Sequence, residues 1–494
     1  SAASDVYKRQ VLGIALWSLT GCTDWLDVQP VDQVAEEQMF TSEEGFRQGL
    51  NGVYVELCSS SLYGGDLLTG TVEVLAQRYK FANYGTMQNL NSLGQFDYTT
   101  DYSKSNFAGI WEKGYALIAN VNTLLKNADE KKNLFTGDQY NWITGEAYAL
   151  RAMLHFDLLR LFGPVYKTNK EGRAIPYNKE FVLSGTDLLS ASKVLEYVID
   201  DLKEAERRLA NDPIIEQGPL LEEGSTEEEN FWHYRTFRLN YYAVKALQAR
   251  VYLYAEMFSE ALAAAREVVA VQEQYFPFTT KSQVTDGQKP DRIFSSELVF
   301  ALQYPNRNKI FTDYFTPDLK DDQMWLTPST YLENIFGTLA LNDWRYESNW
   351  KVASGHTNRC FYKYSDLETD AYYADLLPMI RMSEMYYIIA ETAENETDAL
   401  ASINLVLDNR GVELLTSVSQ LESTLLNEYQ KEFWGEGQLF FYYKRMNASS
   451  IFSAFSGGNV NMNDTKYVVP LPQSETCLSY TSPSPRDRSL SRMP

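Results

Sequence analysis

The sequence predicts a mainly α fold: a helical-repeat scaffold with long irregular aromatic-rich insertions carrying short strands. Three observations predict it. Apolar residues recur at three- and four-residue spacing through much of the chain, which gives each helix one buried face. Small residues (Ala243, Ala246, Ala249, Ala261, Ala264 and Ala265) fall where two consecutive helices must approach closely. Two long stretches, residues 59–102 and 276–378, lack the periodicity; the first is rich in Gly, the second in Tyr, Trp, Asn, Asp and Pro.

Residues 40–57 read as a helix with Phe46, Leu50, Val53, Tyr54 and Leu57 on one face. Thr41 or Ser42 caps it, and Glu44 completes a capping box with Thr41. Residues 59–102, with Tyr63, Tyr79, Tyr84 and Tyr98, are too long for a simple connection and read as functional. Residues 107–126 are helical through Ile110, Trp111, Tyr115, Ile118, Val121 and Leu125. Residues 138–161 carry the strongest stripe (Ala147, Leu150, Arg151, Leu154, Leu158, Leu161), ended by Gly163-Pro164. Residues 192–209 form an amphipathic helix, and the acidic run 218–230 reads as a solvated insertion.

Residues 240–272 make an Ala-rich helix–turn–helix that resembles a tetratricopeptide repeat unit. Residues 380–392 with 398–409 make a second pair, and 107–126 with 140–161 a third. Such pairs stack into a right-handed solenoid with one continuous core. Residues 276–378 read as loops held by this scaffold, the usual place for function.

Composition excludes several functions. The net charge of −22 repels nucleic acid and anionic lipid, and suits a neutral or cationic ligand. Four cysteines make no disulfide framework, and His155, His233 and His356 are too dispersed for a metal motif. A metal or histidine-based centre is therefore not expected, and no cofactor or catalytic residue is assigned. Aromatic residues are abundant at 14%, including 34 Tyr, and such side chains stack on sugars or pack on peptides.

The run 11–21 is apolar, too short to span a bilayer, and has the length of a signal-peptide core. Leu19-Thr20-Gly21-Cys22 resembles a bacterial lipobox, which predicts that Cys22 is acylated and that the rest is tethered outside the cytoplasm. Stable anchoring takes more than one acyl chain, which a diacylglyceryl cysteine with an N-acyl group supplies. Residues 1–21 read as a signal peptide plus a non-native start, and 476–494, rich in Ser, Pro and Arg, as a non-native tail.

A set of motifs then runs through the chain in order. They include Cys22-Thr-Asp-Trp-Leu-Asp, residues 40–54 (FTSEEGFRQGLNGVY) and Trp111-x3-Tyr115-x2-Ile118-x-Asn120-x-Asn122. Gly145-Glu-Ala-x3-Arg151-Ala-x3-Phe156-x2-Leu159-x2-Phe162-Gly163 is the most specific. Arg381-x2-Glu384, Glu428-x3-Glu432-Phe433-x2-Glu436-Gly437 and Lys444-Arg445 follow. With these motifs the chain resembles the SusD/RagB family of outer-membrane nutrient-binding lipoproteins of Bacteroidetes, from Cys22 to Glu475. Where that family often carries Arg and Asp after the Glu-Gly pair, this chain has Leu439, Phe440, Phe441 and Tyr442. The resemblance implies an N-terminal helical region over 22–215 and a C-terminal region over 216–475 with ligand-face loops at 276–378. It also implies a lipid-anchored body facing the exterior, an oligosaccharide or oligopeptide ligand, and a SusC-type TonB-dependent transporter as partner.

Two clusters are candidate ligand contacts: Arg78, Tyr79, Asn83 and Tyr84, and Tyr314, Trp325 and Trp344. Glu146 with Arg151, or Glu432 with Glu436, can be read as acid/base pairs of an all-helical carbohydrate-active enzyme. Structural ion pairs are favoured instead: Arg151 lies on the apolar stripe of its helix, Glu432 and Glu436 share a helix face at i,i+4, and Glu384 and Glu391, seven apart, share one as well. A protein-binding scaffold is the third class.

Overall fold

The computed structural model describes residues 38–181, 186–367 and 371–475. Cys22, the signal segment and the tail lie outside the described residues.

Eight helices follow one another through the scaffold: α1 (Glu43–Leu57), α2 (Asp101–Glu130), α3 (Gln139–Phe162), α4 (Ala191–Arg208), α5 (Tyr241–Tyr254), α6 (Phe258–Val269), α7 (Met382–Thr392) and α8 (Glu396–Asp408). Each packs on the next, from α1 to α8, as in a tetratricopeptide-like array. The apolar faces meet in one continuous core that runs across residue 216. Caps fix the starts. Thr100, Ser190, Asn240 and Asn395 side chains accept the orphan N–H of α2, α4, α5 and α8. At α1 the cap is Ser42, accepting from Gly45 at 3.2 Å. The expected Thr41–Glu44 box does not form, because Glu44 turns to Arg47 and Gln48. The end of α3 is held by Lys444, whose buried Nζ donates to the Leu161 and Gly163 carbonyls at 3.1 and 2.7 Å.

Helices α6 and α7 pack together although residues 270–381 intervene. Two antiparallel strands explain how. Strand β1 (Leu298–Gln303) pairs with β4 (Leu376–Arg381), and β4 runs straight into α7. This pair closes the base of the insertion, whose distal part carries the small sheet of β2 (Trp350–Val352) and β3 (Arg359–Phe361). Beyond α8 come α9 (Leu421–Glu432), α10 (Leu439–Met446) and the hairpin of β5 (Ser450–Ser453) and β6 (Gly458–Asn461). Because α9 ends at Glu432, Glu436 lies past it on a turn. The expected shared helix face of Glu432 and Glu436 is therefore corrected: they meet through Arg381, not through helical spacing. Residues 439–442 are buried core.

Candidate ligand-binding site

The aperiodic segments are stitched together by backbone pairing. Lys80 N–H donates to Leu326 O at 2.8 Å, and Trp325 N–H to Tyr314 O at 2.9 Å. This brings residues 78–84 against 314–326, so most of the two expected clusters form one feature. Tyr79 and Trp325 rings stand edge-on at 5.3 Å, Phe81 and Trp325 at 5.4 Å, and Tyr314 lies over Trp325 at 4.6 Å.

Within it, exposure sorts the residues. Arg78, Tyr79 and Trp325 are buried, so their expected role as ligand contacts is corrected. Arg78 lies 4.3 Å above the Trp434 ring, with its Nε 2.7 Å from Glu73, and Tyr79 and Trp325 fill the space beneath the surface. An aperiodic segment gives no cue to which of its rings will be covered. Asn83 and Tyr84 are exposed, with the Tyr84 hydroxyl 3.3 Å from Asp322. Tyr314 is half-buried. Trp344 is half-buried but lies elsewhere, beside Gly411 and bonded to Arg410 O. The face extends through the half-buried Phe311 and Tyr362, whose rings are 5.1 Å apart.

Sequence reasoning missed a cleft of about 650 Å³. It lies between α1 (Arg47, Tyr54), the segment 223–238 and Tyr372. The aromatic run Phe231-Trp232-His233-Tyr234 was its signal. Glu223 and Asn230 line it, so part of the acidic stretch read as a solvated insertion forms a wall. The chemistry behind the cleft is self-satisfied. The Tyr54 hydroxyl donates to Glu146 at 2.8 Å, Arg238 pairs with the same carboxylate at 3.2 Å, and Phe231 lies 3.8 Å from the Arg238 guanidinium.

The motif charges form ion pairs with partners remote in sequence. Glu146 meets Arg235 at 2.6 Å rather than Arg151. Burial opposes its ionisation, but Arg235 and Arg238 hold it below the usual carboxylate range. Arg151 pairs with Asp201, Glu384 with Arg250 at 2.6 Å, and Glu391 with Arg445 at 2.8 Å. Glu432 is the centre of a larger network, taking Arg410 at 2.6 Å, Arg345 at 2.8 Å and Ser383 at 2.8 Å. Burial opposes its charge, yet the surrounding arginines hold it well below the usual range. Arg381 bridges to Glu436, which also takes buried Lys363. Among the described residues no group of His, Cys, Asp and Glu is arranged to hold a metal. No described helix is long and apolar enough to cross a membrane.

Comparison with known proteins agrees along the chain. Residues 24–216 match a family described as "Starch-binding associating with outer membrane", and residues 302–481 match the SusD family. "SusD-like protein P2" of Formosa agariphila is 27% identical over 203 residues, 40% of this chain and 37% of that relative, so the chain spans well under half of that relative's length. A SusD superfamily protein from Bacteroides thetaiotaomicron superposes with a TM-score of 0.70 at 20% identity, covering 88% of this chain and 98% of that one. A SusD-like carbohydrate binding protein from Bacteroides vulgatus gives 0.68 at 18% identity, covering 88% and 96%. With these motifs, this fold and matches over both halves, the chain belongs to the SusD/RagB family.

Proposed function

We propose that the protein is a cell-surface lipoprotein, anchored in the outer membrane through acylated Cys22, that binds oligosaccharides and delivers them to a SusC-type TonB-dependent transporter. The observation that carries the binding reading is the aromatic face of Tyr84, Phe311, Tyr314 and Tyr362. Tyr84 and Tyr362 sit on irregular chain and Phe311 and Tyr314 on the short helix Asn308–Tyr314, with Trp325 packed against Tyr314 and Tyr79 against Trp325 beneath. Such rings stack on the apolar faces of sugars, and the name of the Bacteroides vulgatus neighbour supports that ligand class. Glycoside hydrolysis needs an acid and a second carboxylate on either side of an open cleft. Glu146, Glu384, Glu432 and Glu436 are instead buried and engaged by arginine. That favours binding without turnover.

Calorimetric titration of the full chain against neutral and acidic oligosaccharides and oligopeptides, with product analysis, tests this. Saccharide binding without cleavage is the expected result. Cleavage moves the protein to the enzyme class, and binding of peptides alone changes the ligand class. If Tyr372→Ala weakens binding and Tyr314→Ala does not, the ligand sits in the 650 Å³ cleft. Co-isolation of a TonB-dependent barrel from outer membranes, abolished by Cys22→Ala, tests the partner and the anchor.

A further inference from the structure

Among the described residues nearly every buried arginine is neutralised by a carboxylate. Arg292 and Arg307 are not. Arg292 is 8% exposed and Arg307 3% exposed. Arg292 Nε donates to Ser348 O at 3.2 Å and Nη1 to Ser365 Oγ at 2.8 Å; its Nη2 has no partner among the described residues. Arg307 Nη1 donates to the Tyr373 and Leu376 carbonyls, and its buried Nε has no hydrogen-bond partner among the described residues. Ser348 Oγ and Asn349 Oδ1, beside Arg292, are also buried without partners. Lys351 is exposed on β2, with Nζ 5.6 Å from the centre of the Tyr362 ring. The Arg292 guanidinium is 5.9 Å from the same ring. No carboxylate among the described residues lies within 4.0 Å of any of these three cations. Asp318 acts on Tyr362 and Asp291, Asp366 and Asp375 on Arg307, but only at longer range.

Uncompensated buried charge is costly, and an arriving anion removes the cost. Arginine's planar fork suits carboxylate and sulfate oxygens. Tyr362 joins this cationic end to the aromatic face through Phe311. We infer that the face takes an anionic saccharide, whose uronate carboxylate or sulfate ester sits against Arg292 and Lys351 while a neighbouring ring stacks on Tyr362 and Phe311. This rests on the binding reading above and names its substrate class. It runs against the ligand that the overall charge of −22 suggests, because Arg292 and Lys351 have no carboxylate within 4.0 Å among the described residues.

The test is titration of the full chain with maltohexaose, tetragalacturonate and a sulfated carrageenan tetrasaccharide, at low and high salt. The acidic probes are expected to bind at least about tenfold tighter than the neutral one, with the preference shrinking in salt. Which acidic probe binds tells uronate from sulfate. Lys351→Gln, at an exposed position, is expected to fold normally and to lose about three- to tenfold for the acidic probe only. Arg292→Gln is expected to lose more. Equal or tighter binding of maltohexaose overturns the inference and leaves the binding reading standing. Unchanged acidic binding in Lys351→Gln and Arg292→Gln also overturns it. Binding of none of the three overturns both.

Discussion

Arg151 on α3 and Asp201 on α4 meet in a two-point pair, Nε to Oδ2 and Nη2 to Oδ1, each at 2.7 Å. The remaining nitrogen of the fork donates to Asn122 Oδ1 at 2.8 Å and the Lys179 carbonyl at 3.1 Å. One guanidinium thus ties α2, α3, α4 and the loop after α3 together. Arg151→Ala leaves Asp201 buried without its partner, and the expected loss is about 3–5 kcal/mol by chemical denaturation. Arg151→Lys restores charge but not the fork, so an intermediate stability is expected. A wild-type melting temperature in Arg151→Ala would refute this role.

His155 sets an acid limit. Its Nδ1 donates to Arg151 O at 2.8 Å, and its Nε2 accepts from Asn178 N–H at 3.1 Å, which requires the neutral ring. Burial pushes its pKa down from 6.5 to about 3. The stabilisation is therefore complete above pH 6.5 and is lost as pH falls towards 3, by up to about 1.4 kcal/mol per pH unit. His155→Gln should be less stable at neutral pH but flatter between pH 6.5 and 4. Parallel acid limbs for the two proteins would rule the histidine out.

Glu432 gathers Arg410, Arg345, Arg381 and Ser383. Glu432→Gln keeps the shape but leaves the arginines short of one negative charge, and a loss of about 3–5 kcal/mol is expected. Glu204→Gln, whose carboxylate is shared by exposed Arg207 and mostly buried Arg208, should cost clearly less. Similar losses from both would show that the network is not special.

Gly437 sits at φ +68°, and a Cβ there would lie 2.2 Å from the Leu67 carbonyl oxygen. Its N–H and that of Gly435 donate to the two oxygens of buried Glu73, at 3.2 and 3.0 Å. Gly437→Ala meets both the strained dihedral and the clash. It should destabilise by more than the roughly 1 kcal/mol of an ordinary Gly-to-Ala misfit. Gly52→Ala, in open space on α1, should be neutral or stabilising.

Tyr314 and Trp325 should part company although their rings touch at 4.6 Å. Tyr314→Ala is expected to weaken oligosaccharide binding by about two- to tenfold with a small change in melting temperature. Trp325→Ala empties a core position and should cost about 3–5 kcal/mol of stability. Equal effects on binding and stability in both variants would erase the distinction between ligand face and core.

The helices were legible in the sequence because their signals are local. The stripe through Leu150, Leu154, Leu158 and Leu161, the Gly163 stop and the Ala-rich approach of α5 and α6 each span a few turns. The family motifs were legible for the same reason. The fate of the insertion was not. Tyr79 and Tyr84 lie five residues apart in one aperiodic segment, yet one is buried and the other is 59% exposed. Only the docking of residues 314–326 decides that. Ion partners were hidden as well: Glu146 finds Arg235, Glu384 finds Arg250 and Glu436 finds Arg381. A charge on an apolar helix face announces that it needs a partner, because burying it alone is prohibitive. The sequence determined that need. Which guanidinium meets it depends on segments far apart in the chain: Arg235 reaches Glu146 from the loop before α5, while the pairs of Glu384 with Arg250 and of Glu436 with Arg381, and the lack of a carboxylate at Arg292 and Arg307, are decided where β1 and β4 close the insertion onto the scaffold.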